Sequence, residues 1–319
     1  MDFIDLTSLH SYSYLLVLAA ILLTTKLLGL FSRWVRLPQV LGALVAGVIL
    51  GPVVNAIVGW STGDGFFSQA AGSDQLFGML SELGVIVLMF GAGLETDVQE
   101  MKKCGKASLI IAVIGVITPL IFGAFASYYF IDDPNSQERL LKSIFIGVVL
   151  TATSVSITVE TLKELGKLNT PASNAILGAA IIDDVLGIIA LTIITSFKSK
   201  DVNIWFVLIK IVLFFIFAAI LGFIMLKIYK WMNKHTSRDS RRHVIIAFAY
   251  CLVSSFVAEV FFGVADITGA YVAGLVLSMT NRKRYLVNRF STLSYMLLSP
   301  IVFACIGLTI EMPELTVSL

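Results

Sequence analysis

About ten long apolar runs follow one another along this chain, with only short polar breaks between them. A helix needs roughly 20 mostly apolar residues to cross a hydrocarbon core of about 30 Å. A backbone in lipid must also satisfy its own hydrogen bonds, which leaves helices as the practical way to use such runs. The runs lie at 12–31, 37–58, 76–96, 107–130, 141–162, 174–196, 204–232, 244–263, 267–280 and 292–310. The expected fold is therefore an all-α polytopic membrane protein of about ten transmembrane helices, forming one membrane domain over 1–319.

Composition agrees: 57 % of residues are apolar and 14 % charged, against about 25 % charged in a soluble domain, and the mean hydropathy is +0.91. The net charge of +2 is small and its basic residues are dispersed, so no nucleic-acid partner is indicated. Cys104, Cys251 and Cys305 are too far apart for a metal motif. His10, His235 and His243 have no ligand spacing either. No signal-peptide pattern precedes the first run, which is expected to remain as a span.

Lys and Arg fall mostly in alternate connections. Arg33, Arg36, Lys102, Lys103, Lys106, Lys163, Lys167, Lys227, Lys230, Lys234, Arg238, Arg241, Arg242, Arg282, Lys283, Arg284 and Arg289 are counted with the connections after odd-numbered spans, whereas the opposite connections hold only Arg139, Lys142, Lys198 and Lys200. Cytoplasmic loops carry the excess of basic residues. A multi-pass protein of the cell membrane, with its N-terminus outside, is predicted.

Two strings recur. Gly42-Ala-Leu-Val-Ala-Gly47 in span two returns as Gly269-Ala-Tyr-Val-Ala-Gly274 in span nine, and Phe90-Gly-Ala-Gly93-Leu-Glu-Thr-Asp97 in span three is echoed by Ala304-Cys-Ile-Gly307-Leu-Thr-Ile-Glu311 in span ten. Small-residue strings recur wherever membrane helices pack closely, but two echoes in one order point to a repeat. An odd number of spans separates the copies, so they run in opposite directions, the inverted topology of secondary transporters. The first copy continues for three spans after Gly93 whereas the chain ends soon after Gly307; a C-terminal truncation of three helices is expected.

Span six places Asp183 and Asp184 mid-run with only apolar neighbours. A carboxylate at the bilayer centre costs about 2.5–3.5 kcal/mol on insertion scales and is a functional-site candidate by default. Adjacent residues on a helix are rotated by about 100°, so one acid is expected to face ions and the other a partner. A proton and a cation compete for the same carboxylate oxygens, the minimal chemistry of exchange. Span five carries Thr151-Ala-Thr153-Ser154-Val-Ser156-Ile-Thr158. Its hydroxyls can bond to carbonyls and stabilise an unwound stretch whose other carbonyls could coordinate a hard cation.

On Gly91-Ala-Gly-Leu-Glu95-Thr-Asp97, on 151–158 and on 174–187 with the Asp183-Asp184 pair, the chain resembles the monovalent cation:proton antiporters of the bacterial sodium/proton exchanger type. The resemblance covers essentially the whole chain. It implies an inverted-repeat antiporter fold that lacks the last three of about thirteen helices, together with a Lys partner and a second broken helix expected beyond this chain's end. It also implies that Asp184 binds the cation or proton, that Asp183 pairs with a basic residue, and that 151–154, with Thr151, Thr153 and Ser154, form the unwound crossover. Residues 97–196 would be part of the ion-translocating core, and 1–96 and 243–319 scaffold and dimerisation helices. Glu82, Glu95, Glu160 and Glu259 fall toward span ends, as gating or helix-end candidates, and Lys26 and Lys210 as snorkelling groups.

The implied activity is exchange of a monovalent cation, Na+ or else Li+ or K+, for H+ by alternating access. No enzyme activity, cofactor or resident metal is expected. Partners would be the lipid bilayer, a second copy in a homodimer and a chain supplying the missing helices. A potassium-efflux-type K+/H+ antiporter is the alternative, and a non-transporting truncated membrane subunit is an alternative of another class.

Overall fold

A computed structural model describes residues 13–53, 75–131, 135–198, 204–235 and 241–310. His10, Lys200, Glu311, the first residue of the first run and 54–58 of the second lie outside them. The described residues are helical, joined by short connections: α1 Ser13–Trp34, α2 Gln39–Val48, α3 Gln75–Glu95, α4 Val98–Phe130, α5 Ser136–Val149, α6 Val155–Glu164, α7 Pro171–Lys198, α8 Ile204–His235, α9 Arg241–Val257, α10 Asp266–Ser278, α11 Lys283–Leu293 and α12 Ser299–Leu308. Wider π-helical turns extend α2 (Ile49–Val53) and α9 (Ala258–Phe262), and a third (Ser294–Leu298) joins α11 to α12.

Among the described residues, seven stretches are long and apolar enough to cross a membrane: Tyr14–Trp34, Leu76–Glu95, Lys103–Phe130, Pro171–Ile194, Trp205–Met232, Arg241–Phe262 and Lys283–Leu308. The other three expected spans take different shapes. Runs 37–58 and 267–280 contain shorter apolar helices, Gln39–Gly51 and Asp266–Ser278, and run 141–162 is divided between α5 and α6. Pro38 at the entry of α2 and Pro52 in its π-helical turn lack the amide donor that a continuous helix uses.

Helix ends follow local chemistry. Asp97 accepts from the Gln99 amide at 2.8 Å before α4, Asn135 from the Gln137 amide at 3.2 Å before α5, and Thr170 from the Ser173 amide at 3.3 Å before α7. Each is a side-chain cap on an otherwise unpaired amide, and Pro171 suits the first position of α7 because its missing donor costs nothing there.

Many large apolar side chains point outward. On α4, Ser108, Ala112 and Val116 are buried at four-residue spacing, while Ile110, Ile114, Ile121 and Phe125 are more than half exposed. In water this pattern would be inverted; in lipid, small residues face the protein so that backbones approach closely.

Residues fall into two compact units, Met1–Leu88 with Phe290–Leu319, and Met89–Arg289. In the first, Val17, Ile21, Leu50, Phe77, Ile301 and Ala304 form a core, and α2 crosses α12 so closely that a Cβ on Gly47 would overlap the Ala304 carbonyl and one on Gly307 would lie 2.8 Å from the Gly47 Cα. In the second, the end of α3 crosses α10 in the same manner: a Cβ on Gly274 would overlap the Phe90 carbonyl and lie 3.0 Å from the Gly93 Cα. The recurring strings therefore exchange partners, each helix of one copy packing on the complementary helix of the other. The second unit also buries Ile211, Phe214, Ala258 and Val264, with Val185 and Ile189 of α7 packed against them.

Candidate functional site

Helix α7 carries Asp183 and Asp184 near its middle, both half-buried. It packs against α4 and against both α5 and α6, the halves of the divided span. The approach to α4 is close: a Cβ on Gly178 would lie 2.6 Å from the Ser108 hydroxyl oxygen, and that hydroxyl donates to the Ala175 carbonyl at 3.0 Å. Asn174, 1 % exposed, keeps its side-chain oxygen buried without a hydrogen bond.

The interruption between α5 and α6 covers 150–154. Thr151 donates to the Val148 carbonyl at 2.7 Å and Thr153 to the Thr151 carbonyl at 3.2 Å. The threonine hydroxyls thus replace part of the hydrogen bonding that an unbroken helix would supply, the competition expected of such residues. Thr151 is buried, whereas Thr153 and Ser154 are exposed. Ser154 occupies the extended N-cap position of α6, with φ −73° and ψ 95°, and its side chain makes no capping bond.

The acid pair and this interruption are on packed neighbouring helices, but the polar contact made by Asp184 runs elsewhere. Its Oδ2 accepts a hydrogen bond of 3.1 Å from the Thr268 hydroxyl in the first turn of α10. Thr268 is 1 % exposed. Motif reasoning along the chain does not single it out, although aligning the echoes marks it: Leu41 stands at this position in the first copy.

The remaining acids separate. Glu95 ends α3, where the Lys283 ammonium donates to the Glu95 and Thr96 carbonyls at 3.1 and 3.2 Å. Lys163 and Lys283 are both close enough to act on the Glu95 carboxylate. Glu82 is exposed on α3. Glu160 departs from expectation: its place near a span end predicts solvation, but packing of α6 leaves it only 7 % exposed. Glu259 is exposed in the π-helical turn after α9 and accepts from the Asp266 amide at 3.2 Å. Lys26 sits over the Tyr295 ring, 3.5 Å from its centroid, and Lys210 over the Phe206 ring at 4.9 Å. All three cysteines are free.

Residues 17–319 match the family described as sodium/hydrogen exchanger, transmembrane. The chain is 38 % identical over 298 residues to the probable Na+/H+ antiporter GerT of Bacillus cereus, covering 92 % of this chain and 73 % of GerT. It is 35 % identical over 301 residues to the Na+/H+-K+ antiporter GerN of the same organism, covering 94 % and 72 %. Its fold resembles the sodium proton antiporter MjNhaP1 of Methanocaldococcus jannaschii, with a TM-score of 0.67 at 18 % identity over 93 % of this chain and 70 % of that one.

Proposed function

The chain belongs to the sodium/hydrogen exchanger family, and we propose that it exchanges Na+ for H+ through the Asp184 carboxylate by alternating access. It is a multi-pass membrane transporter, not an enzyme. The observation that carries the site assignment is a carboxylate mid-helix in α7, half-buried, bonded to a buried hydroxyl and set on a helix that packs against an interrupted span.

Asp184 binds one cargo at a time. A proton neutralises it covalently; Na+ does so by coordination to the same oxygens, with hydroxyl and carbonyl groups completing the shell. Asp183, about 100° round the helix, faces another direction and serves a basic partner. Thr151, Thr153 and Ser154 border the interruption, where carbonyls outside a regular helix can reach a cation. Glu95, Glu82 and Glu160 are helix-end or gating groups in this reading.

In this reading the two short apolar helices and the α5–α6 pair each cross the membrane beside the seven long helices, for ten spans. Residues 97–196 form part of the moving core, and 1–96 and 243–319 the scaffold through which two copies dimerise. The N-terminus faces the outside of the cell membrane, by the loop charges.

Proton flux in proteoliposomes after a Na+ pulse tests this. Wild-type flux should be lost in Asp184→Asn; a variant as active as wild type would remove Asp184 from the mechanism. Similarity to GerN, a Na+/H+-K+ antiporter, favours K+ as the second reading. Pulses of Na+, Li+ and K+ separate them, and a response to K+ alone would reverse the order.

A further inference from the structure

The Thr268–Asp184 bond joins α10 to α7, elements that the exchange reading places in the scaffold and the moving core, and the role inferred for this bond rests on that reading. The threonine is held from several directions. Its own amide bonds to the Ala265 carbonyl at 2.9 Å. The start of α10 is fixed by the Glu259 carboxylate on the Asp266 amide at 3.2 Å and by the Asp266 side chain on the Ile267 amide at 2.7 Å. The next residue, Gly269, lies so close to α9 that a Cβ would come within 2.9 Å of the Ala258 Cβ. On the other side, Val185 and Ile189 seat α7 against the cluster of Ile211, Phe214, Ala258 and Val264.

The helix does not need this hydroxyl for its own geometry. Thr268 precedes the string 269–274 as Leu41 precedes 42–47, and α2 forms an equally tight crossing with an exposed leucine there. The hydroxyl is an addition to the repeat, and its partner is the acid assigned to the cargo.

We propose that Thr268 is a latch for the empty carrier. A bare, ionised Asp184 needs a donor in a site of low dielectric, and the Thr268 hydroxyl supplies one. Hydrogen bonds to an ionised acceptor are roughly twice as strong as neutral ones. A proton or Na+ on Asp184 removes that extra strength and frees α7 to move, while the unloaded site stays tied to α10. Thr268 is thus a positioning residue that makes exchange obligatory, preventing the empty carrier from returning. Other acids stand nearby in sequence, Asp183 beside Asp184 and Asp266 at the start of α10, where the Asp266 side chain accepts from the Ile267 amide.

The test reconstitutes the full chain as wild type, Thr268→Val, Thr268→Ala, Thr268→Ser and Asp184→Asn, and measures the KM for Na+ and the number of protons entering per Na+ leaving. Without a latch, Na+ no longer competes with the hydroxyl, and the Val and Ala variants should show a KM lower by about threefold to tenfold. Their proton-to-Na+ ratio should fall as empty carriers return, and Thr268→Ser should retain wild-type values. Unchanged KM and ratio in both Val and Ala variants would overturn the latch while leaving the exchange reading intact. If Val and Ala fail to insert while Ser succeeds, the residue is structural and the latch is likewise overturned. A silent wild type, or an active Asp184→Asn, would instead overturn the exchange reading and the latch with it.

Discussion

The crossing of α2 with α12 and that of α3 with α10 are equivalent in their backbone contacts. Gly47 meets the Ala304 carbonyl as Gly274 meets that of Phe90, and Gly307 meets the Leu44 carbonyl and the Val48 amide as Gly93 meets the Tyr271 carbonyl and the Leu275 amide. Their side chains differ. Where the α2–α12 crossing has Leu41, Leu44 and Ile310, the α3–α10 crossing has Thr268, Tyr271 and Thr96. Tyr271 donates to the Thr96 hydroxyl at 3.1 Å, and that hydroxyl donates to the Ala92 carbonyl at 2.8 Å. The glycines thus form a structural device used twice, while at these three matched positions the hydroxyl groups belong to the crossing in the unit that holds Asp184.

The equivalence can be broken most severely at the glycines. Gly93→Leu and Gly307→Leu each force a side chain into backbone atoms that cannot yield cheaply, and each should cost about 3 kcal/mol or more. Thermal unfolding in detergent should show comparable losses for both; tolerance of one alone would mean that the two crossings are not equivalent. The polar addition gives a smaller effect. Tyr271→Phe removes one neutral hydrogen bond and should cost about 1 kcal/mol, lowering the unfolding temperature of the protein without approaching the glycine variants. An effect as large as theirs would show that the hydroxyl, rather than the glycine contact, holds α3 to α10. The smallest change expected is Lys283→Met. It removes a cation from the C-terminal carbonyls of α3, worth about 0.3–1 kcal/mol, and the loss should shrink further in high salt; a salt-independent loss would point to side-chain packing instead.

Much of the molecule is legible along the chain because the relevant physics is local. Span length reflects bilayer thickness, and Pro, Asp97, Asn135 and Thr170 mark helix starts through donors they lack or accept from. The hydroxyl residues Thr151, Thr153 and Ser154 announce their own competition with helix hydrogen bonding, and the helix is interrupted there. Shapes that depend on neighbours are not legible. The π-helical turns at Ile49–Val53, Ala258–Phe262 and Ser294–Leu298 have no sequence signature as clear as a proline. The burial of Glu160 comes from how α6 packs rather than from its distance to a span end.

By itself the sequence determined a helical membrane protein, the position of an acid pair within an apolar helix and the existence of two related strings. Only tertiary structure decided which helices those strings join and what Asp184 touches. A glycine string promises a close neighbour without naming it, because any backbone can fill the space a missing side chain leaves. The partner of Asp184 stands 84 residues away in the chain, a separation over which helical periodicity carries no information and packing alone selects the contact.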